Sequence, residues 1–319
     1  MRAALLDKAL PVQRAAAATI IALYPNSLHK PISSSASPSI LSAAEMEVLI
    51  AQIVKAFDGA DIDTSTRLAL ARLVGHILAS SQVLRGTSVP ASKVTQSSSQ
   101  QDDSASLGKS QPEIVSKPLM QPVEMLAMLS TWMNKQSSTR RQRVGLLQAY
   151  ASLLNILGAS WVESHYALVI GHLSKDLVTA PKVSAASKAE RVWIRKATGV
   201  ILRDVVRERM LSEKGLISAV MEVVNSFLRP YLSAVLLSGS SRPQSPTAGS
   251  STSNFIRGQS SERPPSSDTM IIVLHELCGL LQQLGNTPPV IHELLGGGEV
   301  LVAVACSALG GGVRGAAVR

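Results

Sequence analysis

Six cationic side chains recur along one stretch of this chain: Lys188, Arg191, Arg195, Lys196, Arg203 and Arg207. Steps of three and four residues gather most of them on one side of a helix, opposite Trp193, Ala197, Val200, Ile201 and Val205. Such a face could hold an acidic peptide or lie against an anionic membrane. The same pattern also serves as an ordinary solvated face, which is what charge runs on surface helices usually are. Ser37-Pro38 and Ser245-Pro246 offer a different chemistry, because proline-directed phosphorylation there would add about −1.5 to −2 charges to a basic chain.

Arrangements suited to catalysis or metal binding are poor. Gly108-Lys109-Ser110 imitates the end of a phosphate-binding loop, but Asp103 stands where the first glycine belongs and no strand precedes it. His275 and Cys278 could share a helix face, with His292-Glu293 nearby, yet scattered ligands do not close a metal site. Serines concentrate in loop-like stretches, and no serine or cysteine has a motif that sets a histidine beside it. The expectation is a non-enzymatic protein with no cofactor, no metal and no small-molecule substrate.

Composition narrows the class of fold. Of 319 residues, 45% are hydrophobic and only 3% aromatic, so Ala, Leu, Val and Ile must supply the burial, which suits helices packed closely on helices. A net charge of +9 favours an acidic partner but does not choose one. No aromatic run for stacking bases and no Cys/His finger accompanies it, so nucleic acid is not the expected partner. Two cysteines, Cys278 and Cys306, are too few for a disulfide framework and fit a reducing cytosol. The apolar run from Val300 to Val313 falls short of the ~20 residues of a spanning helix. Asp7, Pro11 and Tyr24 argue against a signal peptide at the N-terminus.

Helical patterns fill the chain between three Ser/Pro-rich stretches, 26–40, 85–121 and 238–267, which cannot bury enough surface to order themselves. Two capping-box sequences predict helix starts, Ser42-Ala43-Ala44-Glu45 and Ser160-Trp161-Val162-Glu163. Further helices are predicted at Val123 to Asn134, Thr139 to Leu157, Ser187 to Met210, Glu213 to Leu228 and Thr269 to Leu284. Trp161 reads as a packing residue at its helix start.

A pattern of an acidic residue, a gap of four, a β-branched residue with Arg nearby, then alanines and Leu recurs. Asp61 leads to Thr66-Arg67, Ala69, Ala71, Leu73 and Val74. Asp7 leads to Val12, Arg14, Ala15, Ala16 and Leu23, and Val313-Arg314-Gly315-Ala316-Ala317 is a third copy. Alanines allow close helix approach, and an Asp before one helix can pair with an Arg in its neighbour. The pattern is similar to the second helix of HEAT repeats. The predicted fold is therefore all-α, a HEAT/armadillo-type α-solenoid of stacked antiparallel helix pairs interrupted by disordered loops. It divides into HEAT repeats over 1–84 with the insertion at 26–40, a linker over 85–121, HEAT-like helices over 122–237, a linker over 238–267, and helices over 268–319 that end inside a repeat.

The run Arg143 to His165, RVGLLQAYASLLNILGASWVESH, continues through HLSKDLV, RVWIRKATGVILRDVV and Leu211-Ser212-Glu213-Lys214-Gly215. This resembles the HEAT repeat-containing protein 5 family, which includes the fungal large accessory protein of clathrin adaptor complex 1. The resemblance covers about a third of the chain. It implies a piece of a long cytosolic solenoid, peripheral at the trans-Golgi network and endosomal vesicles, with clathrin adaptor complex 1 and its accessory proteins as partners. Endocytosis, retrograde transport and protein localisation would be its processes. A HEAT scaffold of another pathway, such as nuclear transport or phosphatase assembly, is the competing expectation, since a solenoid does not specify its cargo.

Overall fold

The computed structural model describes residues 3–23, 41–82, 85–87, 115–135, 137–178, 188–233 and 267–285, with the single positions 289 and 293. After a 3-10 turn at Ala3–Leu6, the chain forms α1 (Leu10–Ala22), α2 (Ala43–Ala56) and α3 (Thr64–Ser80). Two three-residue strands follow, β1 (Arg85–Thr87) and β2 (Val115–Lys117). Next come α4 (Pro122–Met133), α5 (Arg140–Leu157), α6 (Ala159–Ser164) and α7 (Tyr166–Gly171), which runs on into a π-helical turn at His172–Val178. Helix α8 (Lys188–Val200) is prolonged by a π turn at Ile201–Arg207 and by Glu208–Met210. Helix α9 (Glu213–Val223) is prolonged by a π turn at Val224–Leu228, and α10 spans Ser267–Leu284.

Local chemistry explains most of the helix starts. Ser42 and Glu45 form the predicted capping box, the Glu45 amide donating to the Ser42 hydroxyl and the Ser42 amide to the Glu45 carboxylate. Thr139 and Gln142 do the same for α5, and Asp63 accepts from the Thr66 amide at 2.7 Å for α3. Pro11 in the first turn of α1 loses no helical hydrogen bond there. The second predicted capping box is a correction. Helix α6 starts at Ala159, capped by Gly158 with φ +82°, so Ser160 already lies inside the helix. A glycine can take the positive φ that ends α5 and opens α6 in one residue.

Helix α3 lies between α1 and α5, and it is buried along most of its length rather than on one stripe. Leu70, Ala71, Leu73, Val74, Ile77 and Leu78 are all buried, as are Ala16, Ala17 and Ile20 of α1. Leu23, the leucine of the Asp7 copy of the repeat pattern, is exposed, since it sits just past the end of α1. The helices come close at Gly75, where a Cβ would stand 2.9 Å from the Leu153 amide nitrogen and 3.1 Å from the Ser152 carbonyl carbon of α5. Only the absence of a side chain lets the two backbones meet. At Gly145 the ring of Phe57 occupies the space a Cβ would need.

The acidic link between neighbours is present but shifted by two residues from the prediction. Arg14 of α1 reaches the Asp63 carboxylate at 2.9 Å and the Thr66 hydroxyl at 3.1 Å; Asp61 plays no such part. Asp63 is the better placed of the two because, as the N-cap, it is fixed by the helix it caps. Its carboxyl is held below the ordinary range first by the Thr66 hydrogen bonds and then by Arg14.

The reading of 85–121 as a structureless linker needs correcting at both ends. β1 and β2 pair antiparallel, Gly86 opposite Ser116, and the chain then returns to the core. The Leu119 amide donates to the Ser81 carbonyl at 2.9 Å, and Leu119 and Met120 pack on the helices. Backbone pairing closes the two ends of a long excursion without needing apolar periodicity, so the sequence pattern carried no sign of it. Apart from this ribbon the described residues fold as helices and their connections.

Polar groups also lie inside. His172 is 4% exposed and stacks on Tyr150, ring centroids 5.5 Å apart and 9° from parallel. Neither ring nitrogen has a hydrogen-bond partner of good geometry. Burial pushes the imidazole down to about 4, the Leu126 backbone acting the other way. Burial likewise raises the Tyr150 hydroxyl far above its usual range.

Candidate functional site: the basic side of helix α8

Helix α8 is amphipathic, but its buried stripe is displaced from the predicted one: Trp193, Ala197 and Val205 are half-buried and Val200 is exposed. Ile194, Thr198, Ile201, Leu202 and Val206 are buried, while Lys188, Arg191, Lys196 and Arg203 are exposed on the other side. Two contacts with α5 fix the helix: Arg143 pairs with Glu190, and the Arg140 guanidinium stands over the Trp193 ring at 5.6 Å. The pairing matters for the face, because it turns the carboxylate of Glu190 toward α5.

Exposed apolar residues interrupt the cations. Val192 is 43% and Val200 47% exposed, and Gly199 has open space above it. Arg203 is partly neutralised by its neighbour, Nε to the Asp204 Oδ1 at 2.5 Å, which raises the arginine's affinity for its proton and lowers the Asp204 carboxyl. The strongest run of cations is therefore the first two turns, Lys188 to Lys196. Chemically this surface can attract and orient anionic groups.

Two of the predicted site residues do not belong to the open face. Arg195 is half-buried. Arg207 is a correction: its side chain is 13% exposed and its Nη1 lies 3.5 Å from the Glu276 carboxylate of α10. The π turn Ile201–Arg207 adds a residue to the helical repeat just before it, which carries Arg207 off the stripe that α-helical spacing gives.

Behind that turn lies a polar cluster that sequence reasoning missed. Glu276 is 5% exposed and accepts from the Tyr166 hydroxyl at 3.1 Å as well as facing Arg207. Burial raises its carboxyl above the ordinary range, against the pull of Arg207 and the Tyr166 hydrogen bond. Gly279, one turn on, leaves the space that the Arg207 guanidinium fills. The signal available in sequence was Gly279 within an apolar helix, three residues after a lone carboxylate at a core position. All three π turns pack against α10, so each of its partner helices widens where it docks.

A second cluster explains the failed capping box. Glu163 accepts from the Ser212 amide at 2.8 Å and the Ser212 hydroxyl at 2.7 Å, and Ser212 in turn accepts from the Gly215 amide. In an ordinary capping box the carboxylate comes from the third helical residue; here that residue is Gly215 and its place is taken by Glu163 of α6. Glu222 of α9 returns the favour by accepting from the Ala167 amide at 2.9 Å, at the start of α7.

The remaining candidates separate. His275 is exposed and Cys278 half-buried with its thiol pushed up by burial; among the described residues no group of three or more His, Cys, Asp or Glu is placed to hold a metal ion. Trp161 packs partly against the core and stacks on His165 at 4.4 Å. Ser37, Ser245, the Gly108–Ser110 loop, His292 and the third repeat copy lie outside the described residues. Among the described residues no helix is long and apolar enough to cross a membrane. No protein-family model matches this chain, and no solved structure matches it.

Proposed function

We propose that this chain forms a HEAT-type α-solenoid and works as a non-enzymatic, protein-binding scaffold in clathrin adaptor-dependent vesicle traffic, held at the membrane through its partners. The observation that supports the solenoid is the order of packing: α1, α3 and α5 lie side by side, with α2 leading into α3 and α4 into α5. Arg14 to Asp63 links one such unit to the next, and Arg141 to the Gly59 carbonyl at 3.2 Å links the following pair. The adaptor context rests on the resemblance through Arg143 to His165, and the exposed cations of α8 offer the surface that an acidic segment of a partner would meet.

Binding of the purified chain to purified clathrin adaptor complex 1 tests the reading. A triple variant, Lys188→Glu, Arg191→Glu and Lys196→Glu, changes only exposed residues of α8. Loss of binding by tenfold or more is the expected result. Wild-type chain that does not bind the complex would remove the adaptor reading; unchanged binding by the variant would remove α8 as the surface.

A further inference from the structure

Between α2, α4 and the start of α5 lies a cavity of about 80 Å³. Its floor is Ala51, Val54 and the Trp132 ring, and its polar wall is Lys55, Lys135, Ser137, Ser138 and Gln142. That volume is far below the roughly 300 Å³ at which drug-sized ligands begin to fit, so it suits one functional group rather than a whole molecule.

The wall is made of donors. Lys135 is held in place by its ammonium, 3.0 Å from the centre of the Trp132 ring. Lys55 comes from the last turn of α2. The Gln142 carbonyl oxygen is occupied by the Thr139 amide in the α5 cap, which leaves its NH2 group for the cavity. Ser137 is exposed at the cavity, while the Ser138 hydroxyl is shut off from solvent and so from the open space. Among the described residues no carboxylate lines the cavity, and the neighbouring Asp58 accepts from the Thr139 hydroxyl at 2.7 Å.

We propose that this cavity is a binding site for a single phosphoryl group. Two ammonium groups, the Ser137 hydroxyl and an amide NH2 match a small dianion with several acceptor oxygens, and they outnumber what one carboxylate can use. The phosphoryl can arrive on a peptide side chain or as free inorganic phosphate; the chemistry recognised is the same. The proposal is independent of the scaffold reading and of the α8 face.

Trp132 is one of three tryptophans, so its indole N–H resonance can be followed in the whole 15N-labelled chain, assigned with Trp132→Phe. Titration with sodium phosphate against sodium chloride at constant ionic strength is expected to shift that resonance alone, to saturation. In Lys55→Met, which keeps the Lys135 contact with Trp132, the midpoint concentration is expected to rise at least tenfold. A shift that never saturates, that affects all three indoles alike, or that is unchanged in Lys55→Met overturns the site. A phosphoserine peptide saturating at tenfold lower concentration than inorganic phosphate identifies a chain-borne ligand; equal concentrations identify the free anion.

Discussion

Arg207 and Glu276 lie 69 positions apart in sequence and form an ion pair, 3.5 Å from Nη1 to Oε2, with side chains only 13% and 5% exposed. The pair joins the π turn after α8 to α10, and the Tyr166 hydroxyl ties α7 to the same carboxylate. Removing one partner strands the other charge in a low-dielectric site. Arg207→Ala is therefore expected to destabilise the fold by about 3–5 kcal/mol, measured by urea unfolding. An effect below about 1 kcal/mol, the size of an exposed pair, would show that the contact is solvated.

Gly279 supplies a companion test. A Cβ there would overlap the Arg207 guanidinium, so Gly279→Ala must push the arginine from its partner. In an Arg207→Ala background the same substitution has nothing to displace. The double-mutant cycle is expected to show coupling of about 1–3 kcal/mol; strict additivity would contradict the packing.

Glu163 closes a capping box that belongs to another helix. Glu163→Ala is expected to cost about 1–2 kcal/mol, the range for losing a cap and a charge-assisted hydrogen bond. Adding Gly215→Glu to that variant returns a carboxylate to the third helical position of α9, where it can reach the Ser212 amide. Partial recovery in thermal unfolding is the expected outcome, and further loss would mean that Glu163 serves some other purpose.

Glycines of the same type should respond oppositely. Gly75→Ala presses a methyl against the backbone of α5, which cannot swing aside, and is expected to cost about 1–3 kcal/mol. Gly199 on α8 faces open space, so Gly199→Ala is expected to stabilise by about 0.5–1 kcal/mol through helix propensity. Calorimetric midpoints of the two variants check both signs.

His172 gives the fold a pH dependence whose sign is fixed. Its imidazole sits at about 4 in the fold against 6.5 when free, so the folded state refuses a proton that the unfolded chain accepts. The contribution is complete above pH 6.5, falls as pH drops toward 4, and amounts to about 3 kcal/mol. Glu276 acts in the opposite sense, since its raised carboxyl favours the fold when protonated. Comparing wild type with His172→Phe across pH 7 to 4 subtracts the Glu276 effect. The gap is expected to narrow or reverse by that amount; parallel pH profiles would contradict a neutral buried imidazole.

Helices were legible where a local signal marks them, as the Ser42 cap marks α2 and alternating cationic and apolar steps mark α8, although the stripe α8 buries runs through Ile194 and Thr198 and leaves Val200 exposed. The Ser160 to Glu163 motif misled because a capping box is a local pattern, whereas the partner of Glu163 is Ser212, brought near only by tertiary packing. Arg207 misled for a different reason. Helical spacing assumes one kind of turn, and a π turn moves everything after it to a new side. The ribbon at 85–87 and 115–117 is backbone pairing across a long gap, which side-chain periodicity does not encode. The cavity beside Trp132 draws residues from three elements and has no linear motif at all.

A helical scaffold for clathrin adaptor partners is the role proposed for this chain. The most direct test is to tag the protein at its native locus, purify it from cytosol at moderate salt and identify what accompanies it by quantitative mass spectrometry. Enrichment of clathrin adaptor complex 1 subunits, reduced by Lys188→Glu, Arg191→Glu and Lys196→Glu together, is the predicted result. Enrichment of nuclear transport factors, phosphatase subunits or nucleic acid in place of adaptor subunits would contradict it.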